Sequence, residues 1–152
     1  MRLLTSCLAG PPRRRCDGPV SPHPRYDPGD PALLERVRAL LADLPEVSEH
    51  FGVGHPQFQV RAKSFAMFMP EHHGVTWDAV WVKASHQVQR DLIGRDGERW
   101  FRPPYVGPRG WVGARLSGLS GPEDPAWEDV GELLEAAWRS VAPKRVIAAY
   151  DA

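Results

Sequence analysis

The sequence predicts an α+β domain in which helices pack on one side of an antiparallel β-sheet. Three observations predict it. Apolar residues recur at offsets of three and four near each end of the chain, over residues 33–44 and 130–141, which is the period of an amphipathic helix. Between them lie short runs of Val, Phe, Trp and Met bounded by Gly- and Pro-containing turns, which read as strands. The elements follow as helix, strands, helix, strands, helix, without the strict alternation that builds a parallel sheet.

The first helix starts at Asp30-Pro31, where Asp is an N-cap and Pro occupies the first helical position. Leu33, Val37, Leu40, Leu41 and Leu44 then form one apolar face until Pro45 ends it. Val47–Phe51 and Gln57–Val60 are strand segments joined by the Gly-rich turn Gly52-Val53-Gly54-His55-Pro56. Ser64–Met69 and Thr76–Lys83 carry apolar residues on both faces, which suits central strands. The short link from Pro70 to Val75, ending near Gly74, predicts that these two pair as an antiparallel hairpin. Ser85 caps a short helix through Ile93, with Gly94 ending it. The turn Arg95-Asp96-Gly97 leads to Trp100-Phe101-Arg102, and Pro103-Pro104 breaks regular structure. Gly110–Leu116 is a further strand. Asp124-Pro125 opens the last helix, whose stripe is Val130, Leu133, Leu134, Ala137, Trp138 and Val141.

A length of 152 residues suits one domain with a real core, and 42% hydrophobic and 25% charged residues are ordinary for a globular chain. Residues 1–29 are dense in Pro, Gly and Arg and poor in large apolar side chains, so they read as a flexible tail before a single domain at 30–152. No apolar run is long enough to span a membrane. Leu4-Thr5-Ser6-Cys7 looks like a lipoprotein cleavage box, but Met1–Leu4 cannot supply the apolar region of roughly 7–15 residues that a signal peptide needs. Cys7 and Cys16 both fall in the tail, giving neither a disulfide framework nor a zinc set and fitting a reducing cytoplasm.

The formal net charge of zero argues against a strongly basic nucleic-acid binder, but the charge is segregated. Residues 1–25 balance to +4, 26–56 to −4, 57–115 to +4 and 116–152 to −4. The middle of the chain is therefore a mildly basic module between acidic flanks.

Catalytic chemistry finds little support. His72 and His73 follow Glu71 at the expected hairpin tip, where neighbours point in opposite directions and no further ligand is spaced to join them, so a turn explains them better than a metal. His50 and His55 flank the Gly-rich turn without a nucleophile or second base. Gly52-Val-Gly54 lacks the remaining glycine and the helix of a phosphate-binding loop, and Ser117, Ser120 and Ser140 lack a nucleophile-elbow context. No enzyme activity, cofactor or metal is expected. What remains is the basic and aromatic centre: Lys63, Lys83, Arg90, Arg99, Arg102, Arg109 and Arg115 beside Trp77, Trp81, Trp100, Tyr105 and Trp111. Cations beside aromatics can contact phosphates and stack on bases, whereas core tryptophans with a solvated arginine rim would produce the same composition. Most of the tryptophans fit the core reading better.

The order of Leu44-Pro45-Glu46-Val47, Gly54-His55-Pro56-Gln57-Phe58-Gln59-Val60, Lys63-Ser64-Phe65-Ala66, Val80-Trp81-Val82-Lys83, Pro104-Tyr105, Gly110-Trp111-Val112 and a terminal helix over Leu133–Lys144 resembles the MmcQ/YjbR family. The likeness spans roughly Pro31 to Pro143. It implies a CyaY/frataxin-like α+β fold called a double wing, with two projecting hairpins, in small bacterial proteins labelled DNA-binding. Carried across, it singles out Lys63, Phe65, Lys83 and Trp111. Ala62 stands where that family usually has a turn-favouring glycine. The expected function is DNA-backbone binding by a cytoplasmic monomer through Lys63, Lys83, Arg90, Arg99, Arg102, Arg109, Arg115 and Trp111. Lys63 and Lys83 begin one strand and end its neighbour, so they are expected to form one cationic patch at the hairpin base. The rival expectation is a protein- or small-anion-binding module with a lysine-lined pocket between the sheet and the C-terminal helix. Iron binding, which the frataxin-like shape also suggests, lacks its acidic ridge: Glu35, Asp43, Glu46 and Glu49 are few and scattered.

Overall fold

A computed structural model describes residues 29–52, 54–70 and 78–152. Four α-helices and six strands follow in the order α1 (Pro31–Leu41), β1 (Val47–Gly52), β2 (His55–Val60), β3 (Lys63–Met69), β4 (Ala79–Val82), α2 (His86–Arg95), β5 (Trp100–Phe101), β6 (Val112–Arg115), α3 (Ala126–Val141) and α4 (Lys144–Asp151). The strands form one sheet in the order β1-β2-β3-β4-β6-β5, and every pairing is antiparallel. The fold class is therefore the α+β class read from the sequence, with β3 and β4 paired as expected and central in the sheet. The expectation of a tail over residues 1–29 falls, apart from Gly29, outside the described residues, as do the Glu71-His72-His73 tip and Trp77.

Local chemistry accounts for the helix starts. The Asp30 carboxylate accepts the Ala32 N–H at 2.9 Å, and Ser85 Oγ accepts the Val88 N–H at 3.2 Å, so both expected caps form. Asp124 accepts the Ala126 N–H at the head of α3 and the Ser120 N–H of the preceding loop, and these bonds hold its carboxyl below its usual pKa. Asp78, buried at the start of β4, accepts the Asp30 N–H at 2.7 Å and ties the head of α1 to the sheet.

Three boundaries differ from the sequence reading. α2 passes through Gly94 and ends at Arg95, because the Asp96 N–H still reaches the Leu92 carbonyl at 3.0 Å. β6 is shorter than Gly110–Leu116, since Gly110 sits at φ 92° and closes a 3₁₀ turn. The terminal helix over Leu133–Lys144 is two helices: Pro143 breaks the chain after α3, and α4 folds back so that Val146 joins the core and Tyr150 packs edge-on against Trp138, ring centres 5.1 Å apart.

The core lies between the sheet and the helices. Phe58, Val60, Ala66, Phe68, Val80, Val82, Val112 and Ala114 meet Val37, Leu41, Val130, Leu134, Ala137 and Trp138. Leu92 and Ile93 of α2 pack against the same core, and Arg95 reaches Asp129 of α3 at 3.4 Å, so the helices gather on one side of the sheet. The opposite side carries Gln57, Met67, Trp81 and Phe101 in one cross-strand row, each only partly buried. Gly113 completes that row because a Cβ there would overlap the Phe101 ring.

Pairing between β2 and β3 contains one irregularity. Phe58 opposes Ala66 but Gln59 opposes Ser64, so Phe65 is the extra residue of a β-bulge. Both Phe65 and Ala66 are fully buried as a result, at 0% exposure, although they are adjacent in a strand.

The two-residue loop after β2 holds Arg61 at φ 49° and Ala62 at φ 65°, the signature of a type I′ turn. A Cβ in this region costs roughly 1–2 kcal/mol, partly offset in a Gly variant by greater freedom of the unfolded chain. Ala62→Gly is expected to stabilise the domain by about 0.5–1 kcal/mol, read as a rise in urea midpoint at constant slope. An unchanged or lower midpoint would show that the turn is not strained.

Candidate functional site

The basic side chains divide into two groups by what they touch. Arg38 is bonded to Glu35 and to both Glu49 oxygens, at 2.7 and 2.8 Å, which raises its pKa, Glu49 contributing most. Arg61 holds Glu46 at 2.8 Å and draws that carboxyl below its usual pKa. Arg95 pairs with Asp129, Arg139 with Glu135 and Asp151, and Arg145 approaches Glu46 at 3.9 Å. Arg36 donates to the Pro122 carbonyl and lies over the Trp127 ring.

The eight expected site residues do not behave alike. Arg99 donates to the Arg115 carbonyl, and Arg115 donates to the carbonyls of Gly97 and Glu98 while stacking 4.9 Å from the Phe101 ring centre. These two guanidiniums staple β5 to β6. Trp111 is 6% exposed, so its ring is packed and does not present a stacking face, and Phe65 is in the core. Lys63, Lys83, Arg90, Arg102 and Arg109 remain. Each is exposed or half-buried, and none has an ion-pair partner among the described residues.

Their placement corrects the expected lysine patch. Both lysines lie at the same end of the sheet, where the Lys83 N–H donates to the Phe65 carbonyl at 2.8 Å. They do not share a face. Lys63 pairs directly with Val60, a core residue, and therefore points to the helix side. Lys83 follows Val82 in a strand whose Val80 and Val82 are in the core, so alternation sends it to the open side with Trp81. The bulge at Phe65 causes the difference, because it shifts the alternation of β3 by one residue.

Arg102 and Arg109 lie within the segment from residue 102 to residue 111, and Arg90 lies on α2. This loop is clamped to α2. Gln89, 5% exposed, donates its amide N–H groups to the carbonyls of Gly107 at 2.9 Å and Trp111 at 2.6 Å. His86 Nε2 donates to the Pro108 carbonyl at 2.8 Å, and Arg90 lies one helical turn further on the same side of α2. Gly110 permits the close approach of the loop to the head of α2, since a Cβ there would come within 2.9 Å of the His86 backbone nitrogen. Tyr105, absent from the expected set, stands out from this loop at 88% exposure. Its signal in the sequence is an aromatic residue between Pro103-Pro104 and Gly107-Pro108, with no strand or helix to bury it.

The lysine-lined pocket between sheet and C-terminal helix is not formed. Val130, Leu133, Leu134, Ala137 and Trp138 fill that space against β2, β3 and β4. Two concavities among the described residues lie elsewhere. One, of about 240 Å³, is walled by Arg38, Leu41, Leu44, Val47, Glu49 and Phe58, and the other, of about 90 Å³, opens between α1 and Trp127. Among the described residues no three His, Cys, Asp or Glu side chains converge as metal ligands, and no helix is long and apolar enough to cross a membrane.

Comparison with known proteins agrees with this fold. No curated protein matches the sequence significantly. A similar solved structure is that of the Deinococcus radiodurans protein DR2400, described by the domain DUF419. It is 18% identical, has a TM-score of 0.58, and covers 78% of this chain and 87% of its own, a likeness of fold. The family model named YjbR matches residues 42–140, from just after α1 through most of α3, and the chain belongs to the YjbR family.

Proposed function

We propose that this chain is a cytoplasmic, non-enzymatic DNA-binding protein that grips the nucleic-acid backbone with Lys63, Lys83, Arg90, Arg102 and Arg109. One observation carries the reading: the described arginines outside this end of the molecule are committed to carboxylates, carbonyls or rings, whereas these five cations have no ion-pair partner among the described residues. Unpaired like charges at one end of a sheet repel one another, and an anionic chain would relieve that repulsion. Lys63 and Lys83, projecting to opposite sides of one sheet end, suit a strand that wraps the end better than a small anion held between two ammonium groups. Arg99 and Arg115 are structural in this reading, and Trp111 supports the loop from below.

The test is a salt titration of binding to a fluorescent duplex and to a single strand of equal length. Affinity should fall linearly in log–log form, and Lys63→Ala with Lys83→Ala should reduce the slope by about 1.5. Absence of binding to either DNA at low salt, or a slope untouched by the double variant, would defeat the proposal.

A further inference from the structure

Tyr105 is the most exposed large side chain among the hydrophobic residues of the described chain, at 88%, and its backbone has φ 63°. A non-glycine residue gains nothing locally from that conformation, so the surrounding structure imposes it. The imposing contacts are all present. Pro103 and Pro104 fix the approach, Val106 N–H donates to the Pro104 carbonyl at 2.7 Å, and Gly107 N–H donates to the Pro103 carbonyl at 3.0 Å. Gln89 and His86 then anchor Gly107, Pro108 and Trp111 to α2. The result is a stiff prong with one aromatic ring at its tip. Arg102 and Arg109 flank it, and the Arg102 side chain lies along Gly107.

We infer that Tyr105 is a preformed stacking finger for an unpaired nucleobase, with Arg102 and Arg109 holding the phosphates on either side. This rests on the proposed DNA-binding reading and narrows its ligand to single-stranded nucleic acid, or to an unpaired base within a longer one. Charge complementarity selects the occupant: the cations around the prong call for a polyanion. An acidic peptide would satisfy the arginines but offers no flat π face to the ring. Stacking is tolerant of base identity, so the site binds without strong sequence preference. The rigid loop matters because the backbone that carries the ring is ordered before binding, and that part of the ordering is not charged against affinity.

The experiment compares the full chain with Tyr105→Asn and Tyr105→Phe on fluorescent oligo-dT, an abasic strand of the same length, and a duplex. Asn accepts positive φ readily, so Tyr105→Asn removes the ring without adding backbone strain. Oligo-dT affinity should fall about tenfold in Tyr105→Asn and stay within about twofold in Tyr105→Phe. The abasic strand should bind the three proteins alike, a result that a merely structural role would not produce. Equal losses on oligo-dT and the abasic strand, or none on oligo-dT, overturn the inference. If Tyr105→Asn binds oligo-dT normally while Lys63→Ala with Lys83→Ala does not, the stacking role falls and backbone binding stands. If the unaltered chain binds no DNA, both fall. Binding of an oligo-glutamate peptide that depends on Tyr105, without such dependence for oligo-dT, would assign the prong to an acidic protein segment and end the inference.

Discussion

Trp138→Ala is expected to destabilise the domain by about 3–5 kcal/mol and to lower its melting temperature by on the order of 10 °C or more. Trp138 is fully buried in α3, and three independent contacts meet on its ring. Its Nε1–H donates to the Pro45 carbonyl at 2.9 Å, which fixes the chain between α1 and β1. Tyr150 of α4 packs edge-on against it, and the Arg139 guanidinium lies 6.0 Å from its centre. Truncation therefore opens a cavity, leaves a carbonyl without its donor, and frees α4. Thermal unfolding followed by circular dichroism reads the total. Tyr150→Ala, which loses a half-buried ring with its edge contact to Trp138 and the Arg139 guanidinium 5.5 Å from its centre, should cost clearly less. A Trp138→Ala loss below about 1.5 kcal/mol would mean that the site collapses to refill itself and that Trp138 does not join the three elements.

Gln89→Leu is expected to cost about 2–4 kcal/mol, although leucine is apolar, similar in size and a better helix former. The reason is what remains behind. The carbonyls of Gly107 and Trp111 would lose a shared donor in a position where Gln89 is nearly inaccessible to water. Urea unfolding measures the loss, and amide exchange locates it: Arg109 and Gly110, whose N–H groups bond to Val106 and Gly107, should exchange faster while the β3–β4 pairing stays protected. An unchanged urea midpoint would show that the carbonyls find water and that the clamp contributes nothing. Because the same amide holds the prong that carries Tyr105, this variant should also weaken the difference between base-bearing and abasic strands.

Much of the fold was legible because its signals are local. Asp30-Pro31 and Ser85 each cap a helix through their own neighbours, Asp124 bonds the first amide of α3, and the stripe from Val130 to Val141 buries as its period requires. The short Pro70-to-Val75 link announced the β3–β4 pairing. What was not legible depends on distant contacts. α4 buries only Val146 fully, with Ile147 and Tyr150 half-buried against the core, too little for a periodic signal, and Tyr150 finds Trp138 only after Pro143 turns the chain. Arg99 and Arg115 look in sequence like Arg102 and Arg109, yet they are spent on carbonyls across the β5–β6 pair. Gln89 reads as a surface residue among polar neighbours and is instead the anchor of a loop about twenty residues away. Nor was the side of the sheet to which each lysine points legible, since that follows from the β2–β3 register.

That sidedness depends on Phe65. Were the bulge straightened with Phe65 kept as a paired residue, alternation from Ala66 would turn Lys63 onto the open side beside Lys83, merging two separated charges into one. The same straightening would turn a fully buried aromatic ring out of the core. Charge layout and core volume are thus set by a single inserted residue, and this end of the sheet cannot exchange its wrapped distribution of charge for a focused one without also surrendering part of what holds the domain folded.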